Sequence, residues 1–79
     1  MIAEYIQAAL RHAHYELEEG VFYATVPPLA GVLAHGDTLE ACRDQLIEVI
    51  EGWLIVGIRH GDTLPILDNI DLNPVIETV

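Results

Sequence analysis

The stretch His14-Tyr-Glu-Leu-Glu-Glu-Gly-Val-Phe-Tyr-Ala-Thr-Val-Pro-Pro28 decides how this chain folds. Tyr15 and Leu17 alternate with His14, Glu16 and Glu18, a two-residue period that predicts a strand with one wet face. Glu19-Gly20 supplies a turn, because glycine tolerates positive φ. Val21 to Val26 is β-branched and aromatic, as strands are. Phe22, Ala24 and Val26 share one face of it, and Val21, Tyr23 and Thr25 the other. The two runs form a hairpin. Pro27-Pro28 stops it, since proline cannot donate to a ladder.

Working outward toward the C-terminus, Gly31 closes a loop and Val32-Leu-Ala-His35 reads as a third short strand. Connections this short predict an antiparallel meander. Gly36-Asp-Thr38 then opens a helix, with Asp37 or Thr38 as cap and Glu40 spaced from Asp37 as in a capping box. Leu39, Cys42, Leu46, Val49 or Ile50, Trp53 and Gly57 recur at three- and four-residue steps, which is one buried stripe. Trp53-Leu-Ile-Val-Gly-Ile58 is apolar nearly all round, more than one sheet face covers, so either the tail or a second copy must pack on it. Arg59, His60 and Gly61 suit a helix end. Leu64 to Leu67 is a possible fourth edge strand, and Val75-Ile76 a possible brief last one.

Toward the N-terminus, Ile2, Ile6, Ala9 and Leu10 fall at helical spacing, with Glu4, Gln7 and Arg11 opposite. The pentapeptide His35-Gly-Asp-Thr-Leu39 returns as His60-Gly-Asp-Thr-Leu64, once before a helix and once after one. We read that echo as shared turn chemistry and not as a repeat architecture. The sum is an α+β fold in a single domain, 1–79.

Composition limits what such a domain does. Of 79 residues 52% are apolar, more than a core this small absorbs, so an interface and a homo-oligomer (dimer or tetramer) are expected. Thirteen acidic residues stand against three arginines, for a net charge of −10. That field repels phosphate backbones, which disfavours direct nucleic-acid binding, and attracts basic proteins. Cys42 is the only cysteine, so no internal disulfide forms and a cytoplasmic location is expected. No apolar run is long enough for a membrane span, and the N-terminus lacks a signal-peptide pattern.

No residue set commits to catalysis. Glu16, Glu18 and Asp37 invite a metal-dependent nuclease reading, but surface charge explains the first two and capping the third. His12 and His14 sit two apart without a third ligand, and surface histidines are the plainer account. Cys42 on the buried stripe is a small apolar filler, not a nucleophile with a base. We expect neither an enzyme nor a cofactor or metal.

Residue by residue, Tyr23-Ala-Thr-Val-Pro27, Leu29-Ala-Gly31, Gly36-Asp-Thr-Leu-Glu-Ala41 and the Gly61-to-Pro65 element resemble, in order and spacing, the HicB antitoxin family. The resemblance covers roughly residues 14–67. It implies a partial RNase H-like fold, a small antiparallel sheet with the main helix across one face. It also implies pairing with a HicA toxin, a small basic mRNA ribonuclease, whose active surface the antitoxin covers. Many HicB proteins carry a further DNA-binding segment. The sequence to Val79 contains none, so DNA binding is not expected.

For partner binding the sheet's outer face offers Glu16, Glu18, Tyr23 and Thr25, acidic and aromatic against a basic surface. For self-association the apolar end of the long helix offers Trp53, Leu54, Ile55 and Ile58, and an unpaired strand edge is the other route. The alternative reading is a stand-alone oligomeric structural or assembly domain with an unknown protein or small-molecule ligand.

Overall fold

The computed structural model describes residues 2–73, in the order α1 (Ile2–Arg11), β1 (His14–Glu18), β2 (Val21–Thr25), β3 (Leu33–Gly36), α2 (Leu39–His60). The strands form one antiparallel sheet in the order β1-β2-β3. The α+β architecture expected from the pattern is present. The Glu19-Gly20 turn has positive φ at both residues, 50° and 79°. That geometry matches the right-handed twist of the two strands it joins.

The long helix lies on β3 and β2. Ala24 and Ala34, paired across those strands, are fully buried beneath it. Small side chains at both positions let the helix sit close. Gly36 serves the same end more acutely: a Cβ there would stand 2.5 Å from the Cys42 nitrogen. Only two residues separate β3 from α2, so the backbone itself makes that contact. Thr38 caps the helix, its Oγ1 accepting from the Ala41 N–H at 3.0 Å. Asp37 is therefore not the cap, and with Ala41 three residues beyond Thr38 the capping box expected from Asp37 and Glu40 does not form.

At the other end Gly61, at φ 69°, takes the left-handed conformation. Its N–H donates to the Ile58 carbonyl and the Asp62 N–H to the Gly57 carbonyl, a Schellman ending. The repeated pentapeptide thus has two conformations. Gly36 ends a strand with Thr38 as cap, whereas Gly61 ends a helix.

Cys42, Leu46, Ile50, Leu54 and Gly57 form the buried stripe of α2. Two expected members differ: Leu39 is half exposed and Trp53 half-buried. The loop after β2 folds up beside the helix and buries Val26, Leu29 and Val32, and the Trp53 indole N–H donates to the Ala30 carbonyl at 3.1 Å. Burial pushes the Cys42 thiol up from its ordinary pKa, keeping it a neutral filler.

The N-terminal helix packs on α2 with Tyr5, Ala8 and Ala9 fully buried, Ile6 and Leu10 partly so, and Ile2 half exposed. Its stripe is turned from the expected one because the tail crosses over it. Tyr5 donates its hydroxyl to the Pro65 carbonyl at 2.6 Å, and burial raises its phenol pKa. Leu64 lies against Gly57, where an added Cβ would stand 2.9 Å from the tip of the Leu64 side chain.

Residues 64–67 do not form the possible fourth edge strand. Among the described residues they make only the isolated bridge Leu67↔Ile70, around Asp68 and Asn69 at positive φ. Asn73 takes the place of a pairing strand: its side-chain amide accepts from the Leu64 N–H and donates to the Leu64 carbonyl. Arg11 and His12 both hold Asp68, at 2.9 Å each. Those hydrogen bonds, from His12 first and then Arg11, hold its carboxyl below the usual aspartate range. The expected strand at Val75-Ile76 lies outside the described residues.

Candidate functional site

Three places present chemistry to the outside. The broadest is the sheet face turned away from α2. Register puts Glu16, Tyr23 and His35 side by side across all three strands, with His14, Thr25 and Leu33 in the next row and Glu18 opposite Val21. Side chains directly opposite in an antiparallel sheet lie on one face. The four residues expected to bind a partner, Glu16, Glu18, Tyr23 and Thr25, are therefore together, and all are exposed. Tyr23 leans on His35 with ring centroids 6.4 Å apart at 53°. His35 and Leu33, the latter 55% exposed, belong to this face as well. Their third-strand alternation was the available signal. No described element covers the face.

Next to it is the flank of β1. All five of its residues are exposed, against the expected pattern of one dry face. Tyr15 and Leu17 do point to the helix side of the sheet, as the alternation requires. The helix, however, lies on β3 and β2 and leaves Leu17 63% exposed. Tyr15 shares a shallow apolar groove with Leu10, Leu39 and Arg43. Partial burial raises its phenol pKa, and the nearby Arg43 charge opposes that rise. Sequence alone does not reveal this flank, because an alternating strand looks the same whether or not a helix reaches it.

The two edges of the sheet differ too. On β3 the His35 N–H donates to Gln45 Oε1 at 2.6 Å, so a side chain from α2 caps that edge. Among the described residues no side chain does this for β1.

The third place is a groove of about 360 Å³ between the two helices, lined by Ile2, Ala3, Ile6, Leu54, Ile55 and Ile58 with Glu51 as its one charged residue. Of the expected self-association residues, Ile55 and Ile58 are half exposed here. Leu54 is 1% exposed, inside the core, and Trp53 holds the loop at Ala30. Neighbouring helical residues point about 100° apart, so Leu54 and Ile55 serve different surfaces.

For the carboxylates weighed as a metal site, Glu16 and Glu18 lie on the outer face while Asp37 follows β3 at the far side of the sheet. His12 is engaged with Asp68. Among the described residues, no three His, Cys, Asp or Glu side chains converge, and no helix is long and apolar enough to cross a membrane.

Against known proteins, the family described as UPF0150-like matches residues 4–65. The chain is 41% identical over 54 residues to UPF0150 protein ssl0259 of Synechocystis sp., covering 68% of this chain and 74% of that one. It superposes with a TM-score of 0.86 on the crystal structure of TTHA0281 from Thermus thermophilus, at 31% identity over 95% of each chain. The family match takes in the whole sheet, all of α2 and α1 from Glu4 onward.

Proposed function

This chain belongs to the UPF0150-like family, and from that premise we propose that it is an antitoxin-like binding protein that covers a small basic ribonuclease of HicA type. The observation that carries the reading is the uncovered outer face, where Glu16 stands directly opposite Tyr23 and Glu18 lies one row along on the same exposed surface. An aromatic anchor beside carboxylates suits a basic surface: the ring supplies buried area, and the charges supply steering and register. The net charge of −10 adds long-range attraction for a cationic partner. Of the motifs that resemble HicB antitoxins, Tyr23-to-Pro27 lies in and just after β2, whose outer side belongs to this face, and Gly36-to-Ala41 joins β3 to the helix that backs the sheet.

In this reading the protein acts by occlusion, without a chemical step or cofactor, and in the cytoplasm, where a single buried thiol such as Cys42 stays reduced. The test is a pull-down from the native host, followed by titration of the captured small basic protein. The triple variant Glu16→Gln, Glu18→Gln, Tyr23→Ala should lose binding and RNase inhibition while keeping its fold. Undiminished inhibition by that variant refutes the assignment of this face.

The other reading, an oligomeric assembly domain without a toxin partner, draws on the apolar groove between the helices. A host lysate that yields only further copies of this chain would favour it.

A further inference from the structure

The exposed face of α2 carries a pattern with a centre. Glu51, Ile55 and Arg59 follow one another at four-residue steps, and all three are exposed. Steps of four keep side chains on one face, and four residues rise about 6 Å along the axis. Ile55 thus has a carboxylate one turn before it and a guanidinium one turn after it. Neither Glu51 nor Arg59 makes a hydrogen bond or ion pair among the described residues. Arg11, by contrast, is tied to Asp68.

A surface patch that is to meet a copy of itself about a two-fold axis must be self-complementary. Two α2 helices running antiparallel and crossing at Ile55 meet that condition. Turning one copy over exchanges the position before Ile55 with the position after it, so Glu51 of each copy comes beside Arg59 of the other. The apolar content is in the same place. Ile2, Ile55, Val56 and Ile58 are each about half exposed, and the first, second and fourth line the groove between the helices. The groove also contains a single charged residue, Glu51, on a chain whose thirteen acidic residues otherwise keep copies apart.

The geometry points to a symmetric homodimer in which Ile55 of each copy seats in the α1–α2 groove of the other, flanked by two Glu51–Arg59 ion pairs between copies. Its occupant is a second copy of this chain. The stripe of α2 that packs on the sheet lies on the other side of the helix, so this dimer leaves the outer sheet face open. It therefore does not rest on the antitoxin reading.

Sedimentation equilibrium of the full chain tests it. The wild-type chain should dimerise, and Ile55→Glu should weaken dimerisation by at least about tenfold, since it places a charge at the centre of a desolvated contact. Glu51→Arg and Arg59→Glu should each weaken it by about tenfold, because each turns both ion pairs into like-charge contacts. The double variant E51R/R59E should return to within about threefold of wild type, because the pairs re-form reversed. Every position changed is solvent-facing, and far-UV circular dichroism verifies the helices. A wild-type chain that stays monomeric to about 0.1 mM overturns the proposal. So does a dimer insensitive to Ile55→Glu, or one that the double variant fails to restore.

Discussion

The two flanks of this three-stranded sheet are treated in opposite ways. On the β3 side the helix lies close over Ala24 and Ala34, Gly36 lets its first turn touch the strand, and Gln45 caps the edge amide of His35. On the β1 side every strand residue is exposed, and Leu17 faces outward into solvent from the helix side of the sheet. One helix spans about two strands at close packing, and this one is centred on β3. The comparison teaches where cohesion ends and availability begins. One half of the sheet is core, and the other is surface suited to another chain.

If that division is right, substitutions on the two sides must differ in kind. Leu46→Ala should cost the most, about 3 kcal/mol, because it removes a fully buried side chain from the stripe over the sheet and leaves a cavity. Urea unfolding followed by tryptophan fluorescence measures it. Gly36→Ala comes next, at about 2 kcal/mol. Its methyl meets backbone at Cys42, which cannot rotate away, so either β3 or the first turn of α2 must shift. A near-neutral Gly36→Ala in the same unfolding assay would mean that the helix sits less tightly on β3 than described.

Much of the fold was legible in the residues themselves. Alternation located the hairpin, Pro27-Pro28 ended it, and Gly61 marked the end of α2 where a left-handed residue was needed. Cys42, Leu46 and Ile50 gave the buried stripe by spacing alone. What failed to show was position along the third dimension. Periodicity says which way Leu17 and Leu39 point, but not whether an element lies there. It likewise grouped Trp53 and Leu54 with Ile55, when one holds a loop, one fills the core and one faces out. Tyr5 was missed because its partner, the Pro65 carbonyl, is 60 residues away and is a backbone atom. The candidate partner face was legible, since it needs only strand alternation and a register fixed by a two-residue turn.

The β3 edge gives a smaller and more discriminating effect. Gln45→Ala should lower stability by about 1 kcal/mol, the usual worth of one such hydrogen bond. Water reaches this edge and softens the loss. The same change uncaps a strand edge, which favours edge-to-edge pairing, so concentrated samples should show larger species by light scattering. Unchanged association would mean that Gln45 satisfies the amide without guarding the edge.

The smallest effect is the sharpest test of the comparison. Leu17→Ala should change stability by less than about 0.5 kcal/mol, because a side chain 63% exposed has little burial to lose and no cavity to leave. Leu46 and Leu17 are the same residue type on the helix side of one sheet, so the ratio of their two effects measures helix coverage directly. A Leu17→Ala loss approaching that of Leu46→Ala would show that something covers β1 in solution. Running the measurement at two protein concentrations then separates the causes. A loss present at both means that the chain itself folds over the strand, and a loss that grows with concentration means that a second copy does. Independence from concentration together with a negligible loss leaves β1, with its acidic outer row and bare edge, as the flank open to a different protein.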